Sequence, residues 1–398
     1  MLEGELGAAV AAGAPLAMLT VSESTLYGRY GFAPAAASAS WRIETKRAAW
    51  IGPRPDGRVD FITRERLREL VAPMHERVRL RVAGEIDVPG GFWDGFAGTN
   101  PTAEKPGEKR AVQYADADGE VRGLAIYSVK ENHDDFTKAS VNVAYLLAET
   151  DDAYAALWRF LLELDLVAEV NAGELSVDEP LRWMIADQRA ATVTLRDHQY
   201  VRILDVPTAL EARRYGAPGT LALDVSDALG HAGGRFVLTV DGDGHGTVSS
   251  WDDGAAAPDG SVEVALGIEE LSAAYLGGVS LATLAAAGRV RSTDASPAAR
   301  VFAWHTAPAS ASGTDPSARR RRHPRTHGCR RSPSLEGTWH IFWGPRPCTW
   351  SSRPRSSSTA SHSGSTRATA SASSAATATA SRVCSRCSQV GCSPTRAG

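Results

Sequence analysis

The sequence predicts an α+β fold in which mixed sheets carry helices, a small α/β sandwich follows, and a tail without a core closes the chain. Three observations predict it. Between residues 59 and 186 the apolar spacing switches between period 2 and period 3.6 in the order strand, helix, three strands, helix, strand, helix. From Val201 onward short strands and a hairpin alternate with further helices. Near Thr314 the patterned protein gives way to an Arg/Ser/Ala-rich string that runs to Gly398.

The formal net charge of -3 describes neither part. From Pro316 the string holds 14 arginines, no lysine and one acid, Glu336, which leaves the body 29 basic and 45 acidic residues, a net of -16. A body this acidic favours cationic partners. All five cysteines (Cys329, Cys348, Cys384, Cys387, Cys392) lie in the string. The cysteine-free body therefore fits a reducing, cytoplasmic compartment. Arg, Ser, Pro, Ala, Thr and Cys without Lys is what a GC-rich coding strand yields when read out of frame, with a disordered tail as the alternative. A nucleic-acid arm is disfavoured, since such arms mix Lys with Arg and do not share their length with Trp339, Trp343 and Trp350 in a Pro/Ser setting. Cys384-Ser-Arg-Cys387 and His323/His327 are fragments of metal spacing, but no second CxxC completes a four-ligand set, so no metal is expected.

In chain order, residues 1–14 form an alanine-rich helix with Leu2, Leu6 and Val10 on one side. Glu3 and Glu5 stand where a signal peptide needs positive charge, and no stretch approaches the roughly 20 apolar residues of a membrane span. Residues 16–21 are a buried strand, followed by a Gly-punctuated Tyr/Phe turn through Phe32. Strand 59–62 precedes an amphipathic helix through Leu67, Leu70, Val71, Met74 and Val78, and Pro89-Gly-Gly-Phe-Trp93 marks an irregular connection. Strands at 110–114, 121–129 and 139–147, a very apolar helix over 152–170, a strand at 174–177 and a short helix at 181–186 follow. The last region carries a helix over 208–215, strands at 221–225, 236–240, 247–248 and 262–266, and helices at 268–276 and 281–288. Asp241, Asp243 and His245 read as a hairpin turn, because no helix follows and no Glu stands at the twelfth position of a calcium loop.

The buried strand followed by Ser22-Glu-Ser-Thr-Leu-Tyr27-Gly-Arg-Tyr30-Gly-Phe32 resembles the GNAT superfamily of N-acetyltransferases, whose last conserved segment is a strand, a short helix and a Tyr-x-x-x-Gly-Phe turn. The resemblance implies that Tyr27 acts as general acid, protonating the thiolate that leaves acetyl-CoA, a step suited to a phenol that is neutral at pH 7. On this short motif alone, a core tyrosine in a strand-turn is the competing reading. The element order of residues 59–186 also resembles a GNAT core, so the chain reads as the end of one unit and most of a second. A GNAT unit cradles pyrophosphate on a Gly/Arg-rich loop between its third strand here and the helix after it. The corresponding junction, Ala148-Glu-Thr-Asp-Asp-Ala153, carries three acids that repel phosphate, and the chain begins inside the helix that would follow the first unit's loop.

The phrases Leu26-Tyr-Gly-Arg-Tyr-Gly-Phe32, Leu157-Trp-Arg-Phe-Leu-Leu-Glu-Leu-Asp-Leu166, Val177-Asp-Glu-Pro-Leu-Arg-Trp183 and Val201-Arg-Ile-Leu-Asp-Val-Pro, continuing to Tyr215, resemble the enhanced-intracellular-survival (Eis) family of acetyltransferases. The resemblance implies four parts: the end of a catalytic GNAT domain at 1–40, a degenerate GNAT domain at 41–197, a sterol-carrier-like domain at 198–312 and the tail at 313–398. It implies acetyl transfer from acetyl-CoA to primary amines of aminoglycoside, polyamine or lysine type, and a homo-hexameric assembly without nucleic-acid or membrane partners; since no pyrophosphate loop is found in the 398 residues, no cofactor-binding residue is assigned and the activity of the chain as written is left open. It also implies a general base at the chain's own terminal carboxylate; a native end near Thr314 or Asp315 would make that group a peptide bond in the 398-residue chain.

A non-catalytic remnant acting as an assembly or binding module is the alternative, and a lipid carrier is a third reading resting on fold analogy. His75, His133, His198 and His231 lack a Ser or Cys partner pattern and read as surface or structural histidines. Trp93, Trp158 and Trp183 read as core or interface anchors.

Overall fold

The alanine-rich opening forms helix α1 (Leu2–Ala11), which buries Leu6 and Ala9, and strand β1 (Leu16–Thr20) follows it. The computed structural model of the protein describes residues 2–21, 23–100 and 106–310. Helix α2 (Ser24–Tyr27) and a 3-10 turn over Gly28–Tyr30 lead into the long strand β2 (Ala33–Glu44). Helix α3 (Thr45–Ala48), strand β3 (Arg58–Ile62), helix α4 (Arg64–Arg79) and helix α5 (Gly90–Ala97) precede the meander β4 (Lys109–Ala115), β5 (Val121–Lys130) and β6 (Ala139–Ala148). Helix α6 (Asp151–Leu162) crosses to β7 (Val167–Leu175), and β8 (Ala191–Ile203) completes the region.

These strands make one eight-stranded sheet in the order β1-β8-β2-β7-β6-β5-β4-β3. Strands β6 and β7 pair in parallel across the α6 crossover, and the other neighbours are antiparallel. Alternation along β5 divides the core. Ala125 and Tyr127 face α6 with Leu157, Trp158 and Leu161, while Leu124 and Ile126 face Leu67, Val71 and Met74 of α4 and Trp93 of α5.

The remaining residues build a second sheet. Helix α7 (Val206–Ala212) is followed by β9 (Gly219–Ser226), the hairpin β10 (Gly234–Val240) and β11 (Gly246–Ser250), and β12 (Val262–Gly267). Helices α8 (Ile268–Ala274) and α9 (Leu281–Ala286), strand β13 (Val290–Ser292) and helix α10 (Ala295–Phe302) finish it. The strand order is β11-β10-β9-β12-β13, with β9 and β12 parallel. Leu210, Leu221, Leu223, Leu238 and Leu271 fill its interior together with Val201 and Ile203 of β8, so the two sheets share a core through that strand. At the β10–β11 turn the Asp241 carboxylate accepts the N–H groups of Asp243 and His245 at 2.9 and 2.8 Å, the expected hairpin turn. Buried Arg213 donates to the carbonyl of Phe302 at 2.6 Å and lies 4.3 Å from its ring centroid, fixing the end of α10.

Several elements differ from the sequence expectation. The helix expected over 152–170 stops at Leu162. Leu166 takes a left-handed φ of 59°, and the β-branched Val167 and Val170 enter β7 instead. The connection expected at Pro89-Gly-Gly is the start of α5, where Pro89 is the N-cap and Gly98, at φ 70°, closes the C-terminus. Burial of Trp93 and Phe96 outweighs the weak helix propensity of the two glycines. Strand β2 carries no strand signal in the sequence, because its Ala/Ser-rich run lacks a polar/apolar alternation. Trp93 and Trp158 are core residues, whereas Trp183 is 72% exposed. Among the described residues no helix is long and apolar enough to cross a membrane.

Trp158→Ala is expected to destabilise the fold by about 3–5 kcal/mol, because it opens a cavity under the sheet, while Trp183→Ala changes stability by less than about 0.5 kcal/mol. Urea unfolding of the two variants checks this, and equal losses would overturn the assignment of Trp158 as the core anchor.

Candidate active site

Strand β1 delivers the chain into α2, whose last residue is Tyr27. The turn after it closes through Gly31, which adopts a left-handed φ of 80° and donates its N–H to the Gly28 carbonyl at 2.8 Å. Tyr27 is 4% exposed and packs with Leu6, Leu19, Phe32, Tyr200 and Leu204. Its ring meets Phe32 edge-on at 6.4 Å. Burial first, and the charge of Glu23 second, push the phenol pKa above its ordinary value of 10.0. Tyr27 is therefore a neutral hydrogen-bond donor throughout the physiological range, the state a general acid requires.

Two side chains of β8, missed from the sequence, stand beneath this turn. Tyr200 donates its hydroxyl to Asp197 at 2.7 Å and also hydrogen-bonds Ser24 at the head of α2. Arg202 is fully buried, with Nη2 donating to both carboxylate oxygens of Asp227 at 2.8 and 2.7 Å. Asp227 lies just after β9 in the second sheet, and its carboxylate also accepts the N–H groups of Leu229, His231 and Ala232. The sequence signal was present, as an arginine inside the otherwise apolar run Val201-Arg-Ile-Leu204 that buried-strand periodicity does not explain.

The β6–α6 junction is occupied by its own acids. Thr150 caps α6, accepting the Ala153 N–H at 3.1 Å, and Asp151 and Asp152 lie in the first turn. Glu149 does more than repel phosphate. Its carboxylate is 5% exposed and accepts from Arg77 Nε at 2.7 Å and Arg122 Nη1 at 3.4 Å, while Arg81 donates to its carbonyl at 2.9 Å. Three arginines that could have bound an anion are thus engaged by one internal glutamate.

The histidines take structural places. His75 is buried, with Nδ1 2.9 Å from the Tyr145 hydroxyl and Nε2 2.8 Å from the Ile86 carbonyl. A carbonyl only accepts, so Nε2 carries the proton and Nδ1 accepts from Tyr145. His198 is buried on β8, His231 is half-buried and His133 exposed. Among the described residues one group, Asp241, Asp243 and His245, brings metal-ligand types within 4.8 Å of one another; all three are exposed and serve the hairpin turn. The Cys384/Cys387 spacing, the tail and the terminal carboxylate near Thr314 lie outside the described residues.

Comparison with known proteins agrees with this architecture. Residues 84–203 match an acetyltransferase (GNAT) domain model and residues 206–311 a sterol carrier protein domain model. The chain is 37% identical over 299 residues to an uncharacterised N-acetyltransferase of Streptomyces avermitilis, spanning 73% of this chain and 70% of that protein. It is 33% identical over 291 residues to the N-acetyltransferase Eis of Mycobacterium tuberculosis, spanning 71% of this chain and 67% of that one. The chain belongs to the Eis family of GNAT N-acetyltransferases. The crystal structure of Eis1 from Mycobacterium abscessus superposes with a TM-score of 0.66 at 29% identity, covering 79% of this chain and 77% of that one. In this Eis-family chain the matched GNAT stretch contains Tyr200 and Arg202, and Tyr27 precedes it.

The phenol of Tyr27 is expected to ionise above pH 10.0, and Glu23→Gln, by removing one of the two causes, lowers that midpoint. Difference titration of phenolate absorbance between the wild type and Tyr27→Phe isolates the group; a midpoint at or below 10.0 would overturn the assigned environment.

Proposed function

We propose that the protein transfers acetyl from acetyl-CoA to primary amines of polycationic acceptors of aminoglycoside, polyamine or lysine type, with Tyr27 as general acid. The observation that carries this reading is the buried, protonated Tyr27 at the end of α2, held in a Tyr-x-x-x-Gly-Phe turn of the family's type. In the reaction the amine nitrogen attacks the thioester carbon, a C–N bond forms and the C–S bond breaks. The departing sulfur takes the Tyr27 proton, and the proton lost by the amine restores the phenol through a base or solvent. Burial keeps the phenol protonated before the step and favours its reprotonation afterwards, because a phenolate is disfavoured at a desolvated position.

The acidic body supports the acceptor class, since its net charge of -16 draws polycations towards it. The engaged Glu149 junction supports assigning the second GNAT unit a structural role, within a division at 1–40, 41–197, 198–312 and 313–398. The same reading makes the working protein a cytoplasmic homo-hexamer. The general base implied by the family falls on residues outside those described.

Acetyl-CoA-dependent thiol release by the full chain, with a polyamine and a monoamine compared, tests the proposal. Tyr27→Phe should lower kcat by about 10²–10⁴-fold while leaving the folding midpoint unchanged. Added salt should raise KM for the polyamine more than for the monoamine. Undiminished turnover in Tyr27→Phe sinks the acid assignment. A full chain that releases no thiol with any primary amine favours the non-catalytic assembly module.

A further inference from the structure

We propose that the buried Arg202–Asp227 pair is a positioning element through which the C-terminal, sterol-carrier-like domain sets the attitude of the Tyr27 turn. The proposal rests on Tyr27 being the general acid and adds what holds it in place. Neither side chain of the pair reaches solvent, their exposures being 0% and 1%. The Arg202 side chain packs closely against Gly31: a Cβ on that glycine would fall 2.6 Å from Arg202 Nε and 2.8 Å from Cζ. The left-handed φ of Gly31 and this close approach both require glycine at that position. The turn from Tyr27 to Phe32 thus meets a charged side chain at Gly31, while Tyr27 and Phe32 pack in the apolar cluster beside it.

The guanidinium is fixed on its far side. Arg202 Nη1 donates to the Ile203 carbonyl at 3.0 Å and Nη2 grips Asp227 with both carboxylate oxygens. Asp227 in turn is held by three backbone N–H groups of the loop that follows β9, at 2.9 to 3.2 Å. A buried pair of this kind gives little net stability over hydrophobic residues of equal volume. Its distinguishing property is orientation, because Nη1 and Nη2 are tied to different partners, the Ile203 carbonyl and the Asp227 carboxylate, which leaves the rigid guanidinium few rotational alternatives. Tyr200, two residues before Arg202 on the same face of β8, shares the buried cluster with Tyr27, so the turn is supported at both ends by one strand. A shift of Asp227 would pass through Arg202 to Gly31 and tilt the segment bearing the phenol.

The test uses the full chain labelled with fluorotyrosine, the Tyr27 fluorine resonance being assigned by its loss in Tyr27→Phe. Arg202→Lys keeps the charge but loses the rigid guanidinium. The double variant Arg202→Met/Asp227→Leu keeps the volume and loses both charges, which guards against simple unfolding. In both, the Tyr27 resonance is expected to shift and broaden, and its titration midpoint to fall towards the ordinary phenol value as water reaches the ring. Amine acetylation is expected to lose about tenfold or more in kcat, with the acetyl-CoA KM changing by less than about twofold. A folded double variant whose Tyr27 resonance and titration match the wild type would overturn the proposal, leaving the pair as a tie between domains only. If Tyr27→Phe turns over normally while Arg202→Lys still moves the Tyr27 signal, the general-acid reading fails and the coupling stands.

Discussion

The antiparallel ladder between β2 and β8 is the constraint on which the rest of the structure depends. It runs from Ala33 opposite Val201 to Ile43 opposite Ala191, and it brings residues about 160 positions apart in sequence into a single sheet. Because side chains alternate across a strand, β8 serves two cores at once. Tyr200 and Leu204 enter the cluster around Tyr27, with Arg202 on that same face, while Val201 and Ile203 enter the core of the C-terminal domain. A slip of one residue in that ladder would exchange the two sets and place a charged guanidinium where the aliphatic core now sits. The candidate acid and the domain behind it therefore share one register.

Charge in this molecule is organised rather than averaged. The acids of the body include some that face water and others that hold arginines in place. Glu149 satisfies Arg77 and Arg122 at the β6–α6 junction, and Asp227 satisfies Arg202 beneath the Tyr27 turn. At the β6–α6 junction the pairing engages cationic groups that could otherwise have bound phosphate. The buried carboxylates are stabilised by bidentate or multiple donors, which is the condition under which desolvating them is tolerated.

The C-terminal end of the described chain returns to the same ladder. Arg213 holds the end of α10 through the Phe302 carbonyl, and the Ala309 N–H donates to Ala83 at 2.9 Å. Gln199 of β8 donates to the neighbouring Gly84 carbonyl at 2.8 Å. Gln199 and Tyr200 are consecutive and so take opposite faces of β8, which places this returning segment across the strand from Tyr27. The C-terminal domain thus touches the central strand from both sides, through Asp227 on one and through the core around Val201 and Ile203 on the other.

Much of the fold was legible in the sequence because its signals are local. The period of Leu67, Val71 and Met74, the hairpin at Asp241–Gly244 and the strands at 110–147 follow from spacing and turn chemistry. Tyr27 was legible because its turn needs a Gly at a fixed distance, a requirement of backbone geometry written in sequence. Pairing was not legible: the Ala/Ser run of β2 has no periodicity, and its strand state comes only from the partners on either side. Nor was the end of α6 visible, since Leu166 is driven to a left-handed φ by the sheet that receives Val167. The sequence by itself determined the local elements and the identity of the candidate acid. The tertiary structure alone decided that Arg202 and Asp227, 25 residues apart, meet beneath it, because a buried charge finds its partner through space and leaves no periodic trace along the chain.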